Sequence, residues 1–289
     1  MKNTLINTIT GSTKIYGVIG DPIKHTLSPM IHNRLYEILE RHSVYVPFSV
    51  SRQNLGEAIR GAYALGIKGL NITMPHKRDL FDYISSKDET AMIIDAVNTL
   101  VYTKDGYKGY NTDAYGLLTA LNEEHIVCDD KNVAIIGSGG AAYAAYAAVS
   151  KAKSIHIFNR SIENAKALVD HMKRYYQIPT FIYSMDEKPD IIFDIVIQTT
   201  GVGMGDMIGQ MPQCAPYTLE GARVAVDLIY SPKETAFLNY AKNKGIKCMN
   251  GFGMLYYQAV RAFELMHDIS CDKSEILLIK KEIESHLEV

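Results

Sequence analysis

The segment VAIIGSGGAAYAAYAAV, residues 133–149, constrains this chain of 289 residues more than any other. A short apolar run enters a glycine-rich turn and leaves it as an alanine-rich helix. That handover from buried strand to helix is the context in which a glycine turn carries weight as a phosphate site. Gly137, Gly139 and Gly140 let the backbone reverse tightly. Together with Ser138 and Ala141 they bring main-chain amides to a helix N-terminus, where the peptide dipoles favour a pyrophosphate. Ala141, Ala142 and Ala145 let the helix lie close to a sheet. Taken alone, the same residues also suit a tight strand-to-helix connection that holds no ligand.

The next strand separates these alternatives. About twenty residues after the glycines, a chain built for NAD places Asp or Glu on the ribose 2′-hydroxyl. Here IHIFN is followed by polar groups of another kind, and the run is Asn159, Arg160 and Ser161. A guanidinium pairs with a 2′-phosphate through charge-assisted bonds, whereas a carboxylate repels it, so NADP is expected over NAD.

Short apolar runs alternate with amphipathic stretches along the chain, the α/β pattern of helices covering a largely parallel sheet. Strands are expected at 14–20, 45–50 and 67–73. Ile31, Leu35, Ile38 and Leu39 mark one helix between them, and Leu55, Ala58, Ile59 and Ala62 another. A second strand series, 133–137, 155–159, 193–199 and 223–229, reads as a separate sheet. Ser231, Pro232 and Glu234 form a capping box with proline at the first helical position, predicting a helix that runs to about Lys244. No fixed-period repeat or long linker interrupts the chain.

Composition excludes several classes. With 30 Lys plus Arg against 32 Asp plus Glu, interspersed, there is no electrostatic argument for nucleic acid or an anionic membrane. The cysteines, Cys128, Cys214, Cys248 and Cys271, are dispersed, so neither a disulfide scaffold nor a zinc motif is expected. No HExxH motif occurs, and His25 and His32 read as exposed or hydrogen-bonded side chains, so no metal is expected. The longest apolar stretch, 141–149, is far short of the roughly 20 residues a bilayer requires, and the first residues lack an apolar signal core. A cytoplasmic location is the expectation.

Four small polar clusters remain. Thr26 and Ser28 precede a helix and could hold a carboxylate with helix-end amides, but Ser28 before Pro29 reads locally as an ordinary N-cap. GLNITMPHKRDL carries Asn71 and Thr73 at a strand end and Lys77 at the start of a helix. A lysine near a carboxylate can move a proton, although most lysines are solvated surface charges. Asn98, Asn111, Thr112 and Asp113 lie in polar turns, with Thr112 or Asp113 also able to cap a helix at 114–122. Gln258 follows Gly251 and Gly253 on a helix, where its amide could bond a polyol or rest on the helix surface.

In order, HTLSP, NITMPHK, AVNTL, GYNTDAYG, GSGGAA, NRS, DLIYSPKET and GFGML resemble the shikimate dehydrogenase family, over residues 16–267. These are NADP-dependent reductases of 3-dehydroshikimate in aromatic amino-acid biosynthesis. The resemblance implies Lys77 and Asp113 as the catalytic pair and Thr26 and Ser28 on the substrate carboxylate. It implies Thr73, Asn98 and Gln258 on ring hydroxyls, with Tyr230 near the carboxylate. The cofactor would lie on Gly137, Ser138, Gly139, Gly140, Ala141, Asn159, Arg160, Ser161 and Gly251.

The family architecture implies a substrate domain over 1–112, a Rossmann-like NADP domain over 113–249 and C-terminal helices over 250–289 that return to the first domain. The active site is then expected in the cleft between domains, in a monomer or homodimer. Two positions depart from the family pattern. Thr26 replaces the more usual serine, which bears on shikimate against quinate. Glu163 and Asn164 stand where a second basic residue is common, leaving Arg160 alone for the 2′-phosphate. A quinate or dual-specificity dehydrogenase using NAD, and a non-catalytic cofactor-binding sensor of the same fold, are the competing functions. The NITMP segment resembles shikimate-specific members more than the dual-specificity type.

Overall fold

In a computed structural model that describes residues 9–24 and 26–287, the alternating apolar runs become two six-stranded sheets. His25 lies outside the described residues. The chain divides into two units, one of Met1–Thr112 with Gln258–Val289 and the other of Asp113–Tyr257. The second division therefore falls further along the chain than the sequence expectation of 249, inside a continuous helix.

The first unit runs β1 (Lys14–Gly20), α1 (Ser28–Ile38), β2 (Ser43–Ser49), α2 (Leu55–Ala64), β3 (Gly69–Ile72), β4 (Ser86–Lys87), α3 (Glu89–Ile94), β5 (Thr99–Thr103) and β6 (Gly106–Tyr110). Its sheet order is β2-β1-β3-β5-β6-β4. β1 pairs parallel with β2 and β3, whereas β3 meets β5 antiparallel, in a register that sets Asn71 opposite Thr99. Leu55, Ile59 and Ala62 of α2 recur at helical spacing and bury against Ile19, Leu70 and Ile72. The strands thus hold one apolar face, leaving the other face of β3 to present Asn71.

The second unit runs α4 (Asp113–Glu123), β7 (Asn132–Ile136), α5 (Gly140–Ala148), β8 (Ser154–Phe158), α6 (Ile162–Met172), β9 (Thr180–Tyr183), β10 (Ile195–Gln198), α7 (Ala215–Thr218), β11 (Val224–Asp227), α8 (Ala236–Asn243) and β12 (Lys247–Met249). The order β12-β11-β10-β7-β8-β9, with every pair parallel, is the doubly wound Rossmann arrangement. β7 lies between β8 and β10, where the strand order reverses, so the glycine turn after it stands at the topological switch point. The buried surface of α5 combines the small Ala142, Ala144 and Ala145 with the buried rings of Tyr143 and Tyr146. The last helices are α9 (Phe252–His267) and α10 (Lys273–Leu287), and within the first unit Arg34 of α1 pairs with Glu282 of α10 at 2.7 Å.

One local expectation fails. Ser231 and Glu234 do not start a helix. α8 begins after Thr235, whose hydroxyl accepts the Leu238 N–H at 3.2 Å and donates to Asp227 at 2.6 Å. The buried carboxylate selects Thr235 as the cap, a partner eight residues away that a capping-box pattern does not contain. Among the described residues no helix is long and apolar enough to cross a membrane.

Candidate active site

The two hydroxyls ahead of α1 converge. The N-cap is Leu27, without a side-chain cap bond, and Ser28 is already helical, so Ser28 is not the cap that its proline neighbour suggested. Thr26 Oγ1 donates to Ser28 Oγ at 3.2 Å and accepts the Ser28 N–H at 3.3 Å. Hydroxyl donors at an uncapped helix N-terminus suit a small carboxylate.

Past β3 the chain passes Thr73, whose N–H bonds the Ile19 carbonyl at 2.9 Å, and turns through a cis Met74–Pro75 peptide. Lys77 then sits in a single 3-10 turn, His76–Arg78, rather than in a longer helix. That turn is held from two directions. The fully buried His76 donates from Nε2 to the Val50 carbonyl at 2.7 Å, and the Lys77 carbonyl accepts the Val97 N–H at 2.8 Å. The following residue, Asn98, joins a buried cluster. Its Nδ2 donates to Thr112 Oγ1 at 2.9 Å and, at 3.5 Å, to Gln258 Oε1 from 160 positions away. Asp113, nearly buried, is the first helical residue of α4 and so not its cap.

The second unit supplies a different chemistry. Gly137 has φ +112°, and a Cβ there would stand 2.6 Å from Thr199 Oγ1, so the turn requires glycine. At Gly139 and Gly140 the space is open, since a Cβ would meet nothing within 4 Å. Gly139 caps α5 without a side-chain bond, leaving first-turn amides for an outside acceptor. This cradle fits a pyrophosphate.

At the end of β8, Asn159 Nδ2 donates to the Ser161 carbonyl at 2.7 Å, and Ser161 caps α6 through the Asn164 N–H. Arg160 is exposed and pairs with no carboxylate among the described residues, as a guanidinium kept for a phosphate would be. Ser161 also donates to Glu163 at 3.1 Å. Bonding to its own backbone amide and to Ser161 holds the Glu163 carboxyl below its ordinary range.

Gly251 is fixed by a close crossing. Its N–H bonds the Ile229 carbonyl at 3.0 Å, and any Cβ would collide with the Leu228 carbonyl oxygen. Burial pushes the half-buried Tyr230 phenol above its ordinary value. Behind it the fully buried Asp227 accepts the Ile229 N–H at 3.0 Å and the Thr235 hydroxyl, and burial raises its carboxyl to about 6.

Residues 18–100 match the model for the shikimate dehydrogenase substrate binding domain, and residues 120–219 that for shikimate/quinate 5-dehydrogenase. A shikimate dehydrogenase (NADP(+)) of Caldanaerobacter subterraneus subsp. tengcongensis is 40% identical over 260 residues, 89% of this chain and 92% of that one. The chain belongs to the shikimate dehydrogenase family. A crystal structure of a shikimate dehydrogenase in complex with NADP+ superposes with TM-score 0.87 at 37% identity, covering 96% of this chain and 97% of that one. The shikimate 5-dehydrogenase of Listeria monocytogenes, in complex with shikimate and NAD, gives TM-score 0.87 at 29% identity, covering 97% and 100%.

Within the first unit the fold brings Thr26 to Ser28, and Asn98 to Gln258. Among the second unit's family positions, Gly137 to Ala141 form one turn, with Asn159 to Ser161 at the end of the adjacent strand. Sequence inspection missed His76, Thr99 and Asp227. His76 stands beside Lys77 and Thr99 beside Asn98, yet their importance lies in partners distant along the chain, which adjacency does not show.

Proposed function

We propose that the chain catalyses the reversible NADPH-dependent reduction of 3-dehydroshikimate to shikimate, an oxidoreductase step on a CH–OH group in aromatic amino-acid biosynthesis. The observation that carries this reading is the cluster of buried Asn98 and Thr112 with half-buried Gln258, a built site for a polyhydroxylated ring, in the same unit as Lys77 and the Thr26–Ser28 pair. Thr26 and Ser28 donate to the substrate carboxylate, with Tyr230 near it. Thr73, Asn98 and Gln258 hold ring hydroxyls.

When bound, NADPH supplies the hydride that the C3 carbonyl carbon receives. The remaining work falls to side chains. As the C3 oxygen gains negative character, the Lys77 ammonium gives it a proton; in the oxidative direction neutral Lys77 takes that proton back. Asp113 accepts a hydrogen bond from the substrate and helps fix the lysine. The amides of Gly137, Ser138, Gly139, Gly140 and Ala141 hold the pyrophosphate, and Gly251 contributes main chain to the cofactor site. Arg160, flanked by Asn159 and Ser161, holds the 2′-phosphate. The enzyme acts on a small molecule in the cytoplasm, as a monomer or homodimer.

NAD use is the second reading, favoured by Glu163 beside Ser161 and by the lone Arg160. Initial rates with shikimate and quinate crossed against NADP and NAD test both. The highest kcat/KM is expected for shikimate with NADP. A clear quinate preference, or equal use of NAD, overturns the corresponding half of the assignment.

A further inference from the structure

Hydrogen-bond polarity in the first unit can be followed atom by atom, starting from a group that has only one role. The Asn98 backbone carbonyl can only accept, and it receives the Ile72 N–H at 2.8 Å and the Asn71 side chain at 3.1 Å. The Asn71 atom facing it is therefore Nδ2. The same amide nitrogen donates to Thr99 Oγ1 at 3.1 Å, and Asn71 Oδ1 accepts the Tyr45 phenol at 2.7 Å. Having accepted, the Thr99 hydroxyl sends its single proton to Asn98 Oδ1 at 2.8 Å. The Thr112 backbone N–H, a donor only, reaches the same oxygen at 3.0 Å. Asn98 thus turns its oxygen inward, and its Nδ2 toward Thr112 Oγ1 and Gln258 Oε1.

We infer that Asn71 and Thr99 are positioning residues that fix the Asn98 side-chain amide so that it offers an N–H donor, never an oxygen, to a ring hydroxyl. The inference rests on the reading of Asn98 as a substrate ligand. Asn71, Asn98, Thr99 and Thr112 are at most 6% exposed, so water cannot repair a broken link. Turning the Asn98 amide over would face its NH2 against the Thr112 N–H and leave the Thr99 proton without an acceptor. The weak point is the 3.5 Å contact from Asn98 Nδ2 to Gln258 Oε1. A ring hydroxyl strengthens it by accepting from Asn98 and donating to Gln258. A ketone oxygen there could not donate, and an ammonium could not accept.

Thr99→Val removes the hydroxyl at nearly constant volume, and Thr99→Ser restores it. Steady-state rates are measured with shikimate and with analogues lacking one ring hydroxyl each, alongside NADP binding by fluorescence. Thr99→Val is expected to raise the shikimate KM about tenfold with kcat and NADP affinity within about twofold, while Thr99→Ser stays within about twofold of the parent. Asn98→Ala identifies the analogue lacking the hydroxyl that Asn98 holds, because its KM is then unchanged. On that analogue Thr99→Val and the parent should coincide. An equal penalty on every analogue, or no penalty on shikimate while Asn98→Ala shows one, overturns the inference alone. A shikimate KM untouched in Asn98→Ala removes Asn98 from the substrate site, and the inference falls with it.

Discussion

Lys77 rides on a turn whose main chain is tied to Val97 and whose neighbour His76 is tied to Val50, so its side chain can be removed without undoing the turn. Lys77→Ala is expected to lower kcat about a hundred- to ten-thousand-fold with a smaller change in shikimate KM and an unchanged melting temperature. Retained turnover in that variant would take Lys77 out of the mechanism. Arg160 has no carboxylate partner among the described residues, so its replacement costs little in the fold. Arg160→Ala should raise KM for NADPH at least about tenfold and leave KM for NADH nearly unchanged, as loss of a charge-assisted phosphate contact requires. Equal effects on both would dismiss the 2′-phosphate role. Gly251 is a packing constraint as well as a family position, because a methyl there meets the Leu228 main chain. Gly251→Ala should destabilise the protein by about 1–3 kcal/mol, read in urea unfolding.

At the scale of elements, the join from β11 to α8 depends on one buried carboxylate. Asp227 holds the Ile229 N–H on one side and the Thr235 hydroxyl on the other, setting the course of the segment that carries Tyr230. Thr235→Ala removes the α8 cap and a bond to buried Asp227 together, for an expected loss of about 2–3 kcal/mol, whereas Thr235→Ser should recover most of it. A urea midpoint shared by the two variants would show that the hydroxyl is not the source. Strands and helices were largely legible from apolar spacing, and β1 spans the residues expected of its apolar run. Caps were less so. Ser28 and Ser231 carry the right residue type in the right local pattern, yet Leu27 and Thr235 occupy the cap positions. Cap choice depends on which hydroxyl finds a second partner in the folded chain.

Across the whole molecule, three histidines set the acid limit. Burial, then the charge of His267, holds His32 at about 3, while burial holds His156 and His267 at about 4. All three lie below the unfolded value near 6.5, so their neutral-ring contribution is complete above about pH 6.5 and is lost as pH falls toward 4 and then 3. Asp227 works in the opposite sense, since its folded value of about 6 exceeds the unfolded one; its contribution is complete below about pH 4 and lost as pH rises through 6. Three groups outweigh one, and the melting temperature should drop between pH 7 and 5. The His32 ring stacks on Tyr45 at 4.1 Å, a contact a phenyl ring keeps, so His32→Phe should make this acid limb shallower. A calorimetric melt that stays constant from pH 7 to 5 would contradict the assignment. The sequence by itself determined the α/β class, the glycine turn at a helix start and the ordered motifs of the family, because apolar period and glycine's backbone freedom act between near neighbours. Only the tertiary structure decided that Asn71 and Thr99 orient Asn98, that His76 holds the lysine turn and that Gln258 meets Thr112 from 146 residues away. A hydrogen bond requires two groups about 3 Å apart, and strand register and helix packing bring these distant groups together.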